Sequence, residues 1–231
     1  MVVLVPLERI DDMIKIENAE VFGWEAAIRG MRNPMNSWDK SDTTFGLGED
    51  YYNDMVIGEN DLKLMKNLAN AGSDHGKFMR MLTVYVDLTA PLYWWKEFDT
   101  YKVGTVANSC STMHKIHAKE FTEEDFSWEH LYSPYEDEDL GSDELSCYIL
   151  MALNRYRERY LQTKDKRDWW QMIQLLPSSY NQKRTVQLNY QVLKAMYHAR
   201  KNHKLDEWHT FCDWIRELPH SELIVGDVIG E

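Results

Sequence analysis

The stretch "MLTVYVDLTAPLYWWKEF", Met81 to Phe98, sets two periodicities side by side across one proline. From Met81 to about Thr89 the residues alternate and are rich in Val, Leu, Thr and Tyr, which predicts a strand with one buried face. Pro91 then fixes its own φ and offers no N–H donor, which suits the first turn of a helix. "PLYWWKEFDTY" therefore reads as a short helix carrying Trp94 and Trp95. Two adjacent tryptophans there belong to a core or a subunit interface before they suggest a base-stacking platform.

The elements around this joint follow from punctuation. "VVLVPL" reads as a short strand. "GWEAAIRGMR", Gly23 to Arg32, reads as a helix ended by Asn33-Pro34. "ENDLKLMKNLANAG" sets Leu62, Leu64, Met65 and Leu68 near helical spacing, with Gly72 as its stop. The C-terminal half is helical. A long helix opens at Ser142 with Glu144 nearby, carries Leu145, Ile149, Leu150 and Leu153 on one face, breaks near Lys164 and resumes to Leu176. "SSYNQKRTVQLN" reads as extended, and "YQVLKAMYHAR" and "LDEWHTFCDWIREL" as two amphipathic helices. The sequence holds no internal repeat, low-complexity segment or Pro/Gly/Ser linker. The expectation is one α+β domain over residues 1–231, a mixed core with a helical C-terminal half.

Charge narrows the partners. A net charge of -12 argues against binding a nucleic-acid polymer, while a small anion needs only a local cluster of cations. The acidic run from Glu120 to Glu144 reads as a solvated loop in preference to a metal site. No apolar run approaches the roughly 20 residues that span a bilayer. The start, "MVVLVPLERIDD", lacks the basic region and long apolar run of a signal peptide. Cys110, Cys147 and Cys212 are odd in number and lack metal-ligand spacing, so a reducing, cytoplasmic setting is expected. The phosphate-cradling glycine loop, G-x-S-x-G, H-E-x-x-H and C-x-x-C are absent. His114 and His117 would share one face of a helix but have no obvious third ligand, and read as a polar surface pair. No metal site is expected.

Two segments, "DLTAPLYWWKEFDTYKVGTVANSCSTMHKI" and "LPSSYNQKRTVQLNYQVLKAMYHAR", carry a family resemblance. Their order resembles the flavin-dependent thymidylate synthases: a His before a strand, an Ala-Pro turn, a short helix, a signature triplet and a Ser. A later Leu-Pro then leads to an extended segment and a helix running from an Asn to an Arg. The likeness covers about Ala71–Ser111 and Leu176–Trp214. It implies a mixed α/β core and a homotetramer with shared sites. It also implies conversion of dUMP to dTMP by reduced FAD, with methylenetetrahydrofolate as carbon donor and NADPH as reductant.

Carried over residue by residue, the resemblance makes Arg200 and Ser111 catalytic. It sets His75, Thr100, Tyr101, Lys102 and Asn189 against the cofactor, and Lys96, Glu97, Ser109, Ser111, Lys115 and Arg200 against the nucleotide. The residues also admit plainer readings: Arg200 as a helix-end cation, Asn189 as an N-cap, Lys96 and Glu97 as a surface pair, and Cys110 as a bystander thiol. The signature departs from the family, because "TYK" stands where Arg-His-Arg is expected and leaves Lys102 as the sole cation. Without a gap, Cys110 falls on the family's Ser; Ser111 matches only after a one-residue insertion. Met113 and Ile173-Gln174 replace two further family arginines. The alternatives are a non-catalytic relative that binds a nucleotide or a protein partner, and a flavoenzyme adding a different one-carbon group.

Overall fold

A computed structural model describes residues 3–5, 9–10, 13–46, 55–132 and 142–226. In chain order the strands are β1 (Val3–Val5), β2 (Arg9–Ile10), β3 (Lys15–Phe22), β4 (Thr83–Pro91), β5 (Val106–Ser109) and β6 (Asn181–Asn189). The helices are α1 (Trp24–Arg32), α2 (Glu59–Asn70), α3 (Leu92–Phe98), α4 (Ser142–Thr163), α5 (Lys166–Leu175), α6 (Tyr190–Arg200), α7 (Asp206–Glu217) and α8 (Glu222–Val225). The expected α+β fold is present. The strands form one antiparallel sheet in the order β1-β3-β4-β6-β5, with β2 paired to β3.

β4 is central because its alternation gives the sheet a clean apolar face. Val84, Val86, Leu88 and Ala90 are buried, and β6 continues the face with Val186 and Leu188. Helices α1, α3, α6 and α7 cover that face with an aromatic-rich core that includes Trp24, Trp94, Trp208, Trp214, Tyr190 and Phe211. The opposite face is polar. There Lys183 bridges Glu17 and Asp87 at 3.2 Å each, and Asp87 also accepts from Thr185 at 2.6 Å. β3 was not expected from sequence. A bulge between Glu17 and Glu20 breaks its alternation, with Asn18 in the left-handed region at φ 53. Asn tolerates that conformation better than most residues, and its amide donates across to Asp87 on β4 at 3.0 Å.

The α1 start shows why one glycine is required. Gly23 has φ 97, and a Cβ there would collide with the carbonyl oxygen of Met81. A buried ion pair ties α1 to α2: Arg32 Nε donates to Asp61 at 2.6 Å, and the Asp61 side chain is fully buried. Burial pushes the Asp61 carboxyl up, but hydrogen bonds from Thr43, Ser41 and Arg32 outweigh it and hold the group below its ordinary range.

A second cluster lies apart from this core. Ile116, Phe121, Phe126, Leu153 and Met172 join the 110–128 segment to α4 and α5. The expected break falls at Lys164, which has φ 55. The expected apolar face of α4 is only partly covered: Leu153 is fully buried, whereas Leu145 is 46% exposed. Trp94 and Trp95 are core residues, which removes them from any interface. The acidic run lies partly outside the described residues. Within it, Thr122 and Asp125 form a capping box, and Asp125 also pairs with Lys119.

Candidate functional site

β4 runs into α3 without a loop, because Pro91 is both the last residue paired to β6 and the N-cap of α3. This joint fixes the direction of α3 and places Tyr93 and Glu97, one turn apart, on a single face. Tyr93 donates to the buried carboxylate of Glu207 at the start of α7. Burial first, then this carboxylate, pushes the Tyr93 phenol well above its ordinary range.

Glu97 meets the C-terminal end of α6. Its Oε2 pairs with Arg200 Nη1 and with His203 Nε2, the latter at 3.1 Å. The amide of Leu205 donates to His203 Nδ1 at 3.2 Å, so Nε2 is the nitrogen that carries the proton toward Glu97. Arg200 Nε donates to the Tyr101 hydroxyl at 3.0 Å. The guanidinium lies over the Trp208 ring, 4.8 Å from its centroid. Arg200 is therefore held in place from three directions, with only 17% of its side chain exposed.

Sequence reasoning missed a second arginine here. Arg184 on β6 donates to Asp99 at 2.7 Å and to the Gln182 side chain at 3.0 Å, and stacks 4.1 Å above the Trp95 ring. An arginine inside a strand has no local signature, so only the β6–α3 packing reveals it. The two carboxylates at the end of α3 thus each hold one arginine from the C-terminal half of the chain. The negative end of the α3 dipole adds to that attraction.

The 101–105 segment returns along α6 toward its start. A Cβ on Gly104, which has φ 79, would lie 2.9 Å from Asn189 Nδ2 and 3.1 Å from Val192 Cγ2. Asn189 caps α6, accepting from the Val192 amide at 3.0 Å. Beyond it, Gly76 lies beside Gln191, so His75 and Tyr101–Gly104 flank the α6 start and body. α6 spans about 16 Å at ~1.5 Å per residue. An apolar cleft of 470 Å³ lies beside His75, lined by Met31, Leu68, Phe78 and Met81. A polar cleft of 370 Å³ adjoins the other end of α6, lined by Lys201, His203, His209 and Arg216. Burial pushes the Cys212 thiol on its wall up to about 12, which makes it inert.

The remaining expected residues divide. Lys96 and Lys102 are exposed. Ser109 is an exposed β5 residue paired with Arg184. Ser111 accepts from the amides of Met113 and His114 at 3.3 and 2.9 Å, which makes it the cap of a turn. Lys115 is exposed on that turn. His114 and His117 sit in the turn and not on a helix.

Solved structures share this arrangement of elements. Two crystal structures of flavin-dependent thymidylate synthase ThyX from Helicobacter pylori with FAD and dUMP superpose with TM-scores of 0.62 and 0.63 at 15% identity. Each covers 89% of this chain, and the match spans 95% and 94% of theirs. The fold is that of the flavin-dependent thymidylate synthases. A UMP/dUMP methylase, PolB from Streptomyces cacaoi, bound with 5-Br dUMP, has the same fold, with TM-score 0.57 at 14% identity over 93% of this chain and 95% of its own. The sequence itself matches no protein-family model and no curated protein.

The fold family implies a flavin, and the resemblance sets the rewritten triplet against its phosphates. The Thr100 hydroxyl donates to the Glu97 carbonyl at 2.7 Å, and the Tyr101 hydroxyl accepts from Arg200 at 3.0 Å. Lys102 is exposed and is the triplet's one cation. One flexible ammonium does not make a diphosphate cradle, so the triplet does not fit the cofactor's phosphates. Among the described residues no helix is long and apolar enough to cross a membrane.

Proposed function

We propose that the seam between α3 and α6 binds a pyrimidine nucleotide. The observation that carries this reading is Arg200, fixed by Glu97 and Tyr101 over the Trp208 ring. A preorganised guanidinium loses little rotamer freedom when it meets a ring oxygen or a phosphate. Glu97 competes with a phosphate for Arg200 and at the same time accepts readily from a pyrimidine N–H. The polar cleft beyond His203 adds Lys201 and an Arg216 that is paired with Asp213 at 3.0 Å.

The test is calorimetry with dUMP. The wild type binds, and Arg200→Ala weakens binding by about 1.5–3 kcal/mol, the worth of a charge-assisted contact. Failure of the wild type to bind dUMP returns Arg200 to a structural ion pair.

A second reading makes the site catalytic: one-carbon transfer to dUMP from methylenetetrahydrofolate, with reduced FAD and NADPH. One observation favours it, the apolar cleft beside His75, whose volume of 470 Å³ lies in the range of small-molecule sites, about 300–1,000 Å³. The absorption spectrum of the purified protein separates the readings, since only the second leaves a bound flavin. In both, the chain forms a homotetramer whose neighbours complete the site. Val103, 89% exposed, and Val106, 57% exposed on the edge strand β5, support a covered edge. Light scattering that gives a monomer at micromolar concentration would remove the shared wall.

A further inference from the structure

We propose that the cleft between the 113–117 turn and the α4–α5 corner is a second anion site, built for a phosphate ester that carries a flat aromatic ring. The cleft holds 380 Å³ and is lined by Met113, His114, His117, Tyr160, Lys164, Lys166 and Trp169. Its charge is opposite to that of the molecule, whose net charge is -12. Local carboxylates do not cancel it. Asp165 is engaged by Arg167 at 2.6 and 2.9 Å, and Asp168 is buried against Arg159 at 3.1 Å. Lys164 and Lys166 make no ion pair among the described residues; each lies only over an aromatic ring, of Tyr160 at 5.6 Å and Trp170 at 5.8 Å.

The backbone takes an uncommon form to create this corner. Lys164 adopts φ 55, which ends α4 and lets α5 start two residues later. Opposite it, His117 Nδ1 is buried and has no hydrogen-bond partner among the described residues. Burial first, then the charges of Lys164, Lys115 and Arg157, hold the His117 imidazole below its ordinary range. The same cations that disfavour a protonated histidine favour an arriving phosphate, whose oxygens accept from lysine and imidazole alike.

The ring requirement comes from the walls. The Trp169 indole is fixed in orientation by its Nε1, which donates to the Met113 carbonyl at 3.0 Å. Tyr160 stands edge-on to His117, with centroids 4.9 Å apart. A fixed indole beside two lysines matches a ligand with a π-face and an anionic tail. None of these residues belongs to the α3–α6 seam, so the site is independent of the one proposed there.

Calorimetry on the full chain tests the proposal with two probes, AMP and ribose 5-phosphate, which carries the same dianion without a ring. The Arg200→Ala background weakens the contribution of the seam. AMP binds saturably in that background, and ribose 5-phosphate binds about tenfold more weakly. Lys164→Asn with Lys166→Gln weakens AMP at least tenfold. Asn tolerates the left-handed backbone and both lysines are exposed, so this variant keeps its melting temperature. Trp169→Leu abolishes the preference for AMP over ribose 5-phosphate. Absent AMP binding, equal binding by the double-lysine variant, or equal affinity for the two probes would overturn the proposal.

Discussion

The sheet-centred body and the α4–α5 lobe are built on different scales. In the body, one continuous core runs from Ile14, just before β3, to Ile224 on α8 and contains Trp24, Trp94, Trp95, Trp208 and Trp214, all nearly inaccessible. The lobe closes over Ile116, Phe121, Phe126, Leu153 and Met172. Its long helix leaves Leu145, Tyr148 and Met151 exposed at 46%, 59% and 58%. A large core makes each buried group depend on many others, so the body should unfold as a unit. A small cluster beneath one helix opens at lower cost. The difference places the proposed nucleotide seam on the rigid part and the proposed second anion site on the yielding part.

Truncation of the body's core gives the largest effect. Trp94 touches Trp95, Trp208 and Phe211 at centroid distances of 4.9, 4.8 and 5.6 Å. Trp94→Ala should lower global stability in urea by about 3–5 kcal/mol. A loss below ~1 kcal/mol would mean the core is looser than its burial indicates.

Acid should weaken the body next. Asp61 is held below its ordinary 3.8, as described above, and Glu17 below its ordinary 4.5, chiefly by the hydrogen bond from Lys15. Lowered folded-state values mean that the unfolded chain binds these protons more readily. The stabilisation is therefore complete above the ordinary values and is lost as pH falls through and below about 4. Urea titrations from pH 6 to 3 should show a decline in the wild type and a flatter one in Asp61→Asn, which starts lower because Arg32 remains buried without its counter-charge. Parallel declines would exclude Asp61 as a source of the acid sensitivity.

In the lobe, Leu153→Ala should cost about 2–3 kcal/mol, the lower end for a buried leucine, because a thin cluster collapses more easily. Hydrogen exchange distinguishes the regions: amides of α4 and α5 exchange faster while β4 and β6 keep their protection. Uniform acceleration across both would show one cooperative unit and break the comparison. The smallest effect belongs to Tyr148→Ser, expected within about 0.5 kcal/mol of wild type by thermal melting, since that ring is 59% exposed. A larger loss would reveal a partner covering that face of α4.

What the sequence disclosed was mostly periodic or punctuated. α1, α2, α6 and α7, the strand-to-helix joint at Pro91 and the break at Lys164 all appear close to where apolar spacing, proline and glycine predict them. β3 was hidden because the bulge at Asn18 scrambles its alternation. β5 was hidden because all four of its residues are exposed and only its pairing to β6 defines it. The contacts within the α3–α6 seam were not legible. Arg200, Tyr101 and Glu97 were singled out, yet the pairing of Glu97 with Arg200 spans 103 positions and leaves no local trace. Ser111, expected against the nucleotide, caps a turn, a contact that the spacing of the sequence did not disclose. Arg184 escaped notice because nothing in "NQKRTVQLN" distinguishes a stacked guanidinium from a solvated one.

The joint at Pro91 also sets the tolerance of the seam to error. With no loop between β4 and α3, there is no slack to take up a misplaced strand. The pairing from Thr83↔Asn189 to Pro91↔Asn181 clamps both ends of β4 to β6. Since β6 itself leads directly into α6, the two helices that carry Glu97 and Arg200 are levers set on opposite ends of one strand pair. A slip of one residue in that pairing would move one lever by about 3.4 Å and invert the faces, which would pull Glu97 away from Arg200. Alignment of the carboxylate with the guanidinium is therefore a reading of strand register, as a vernier reads the offset of its scales.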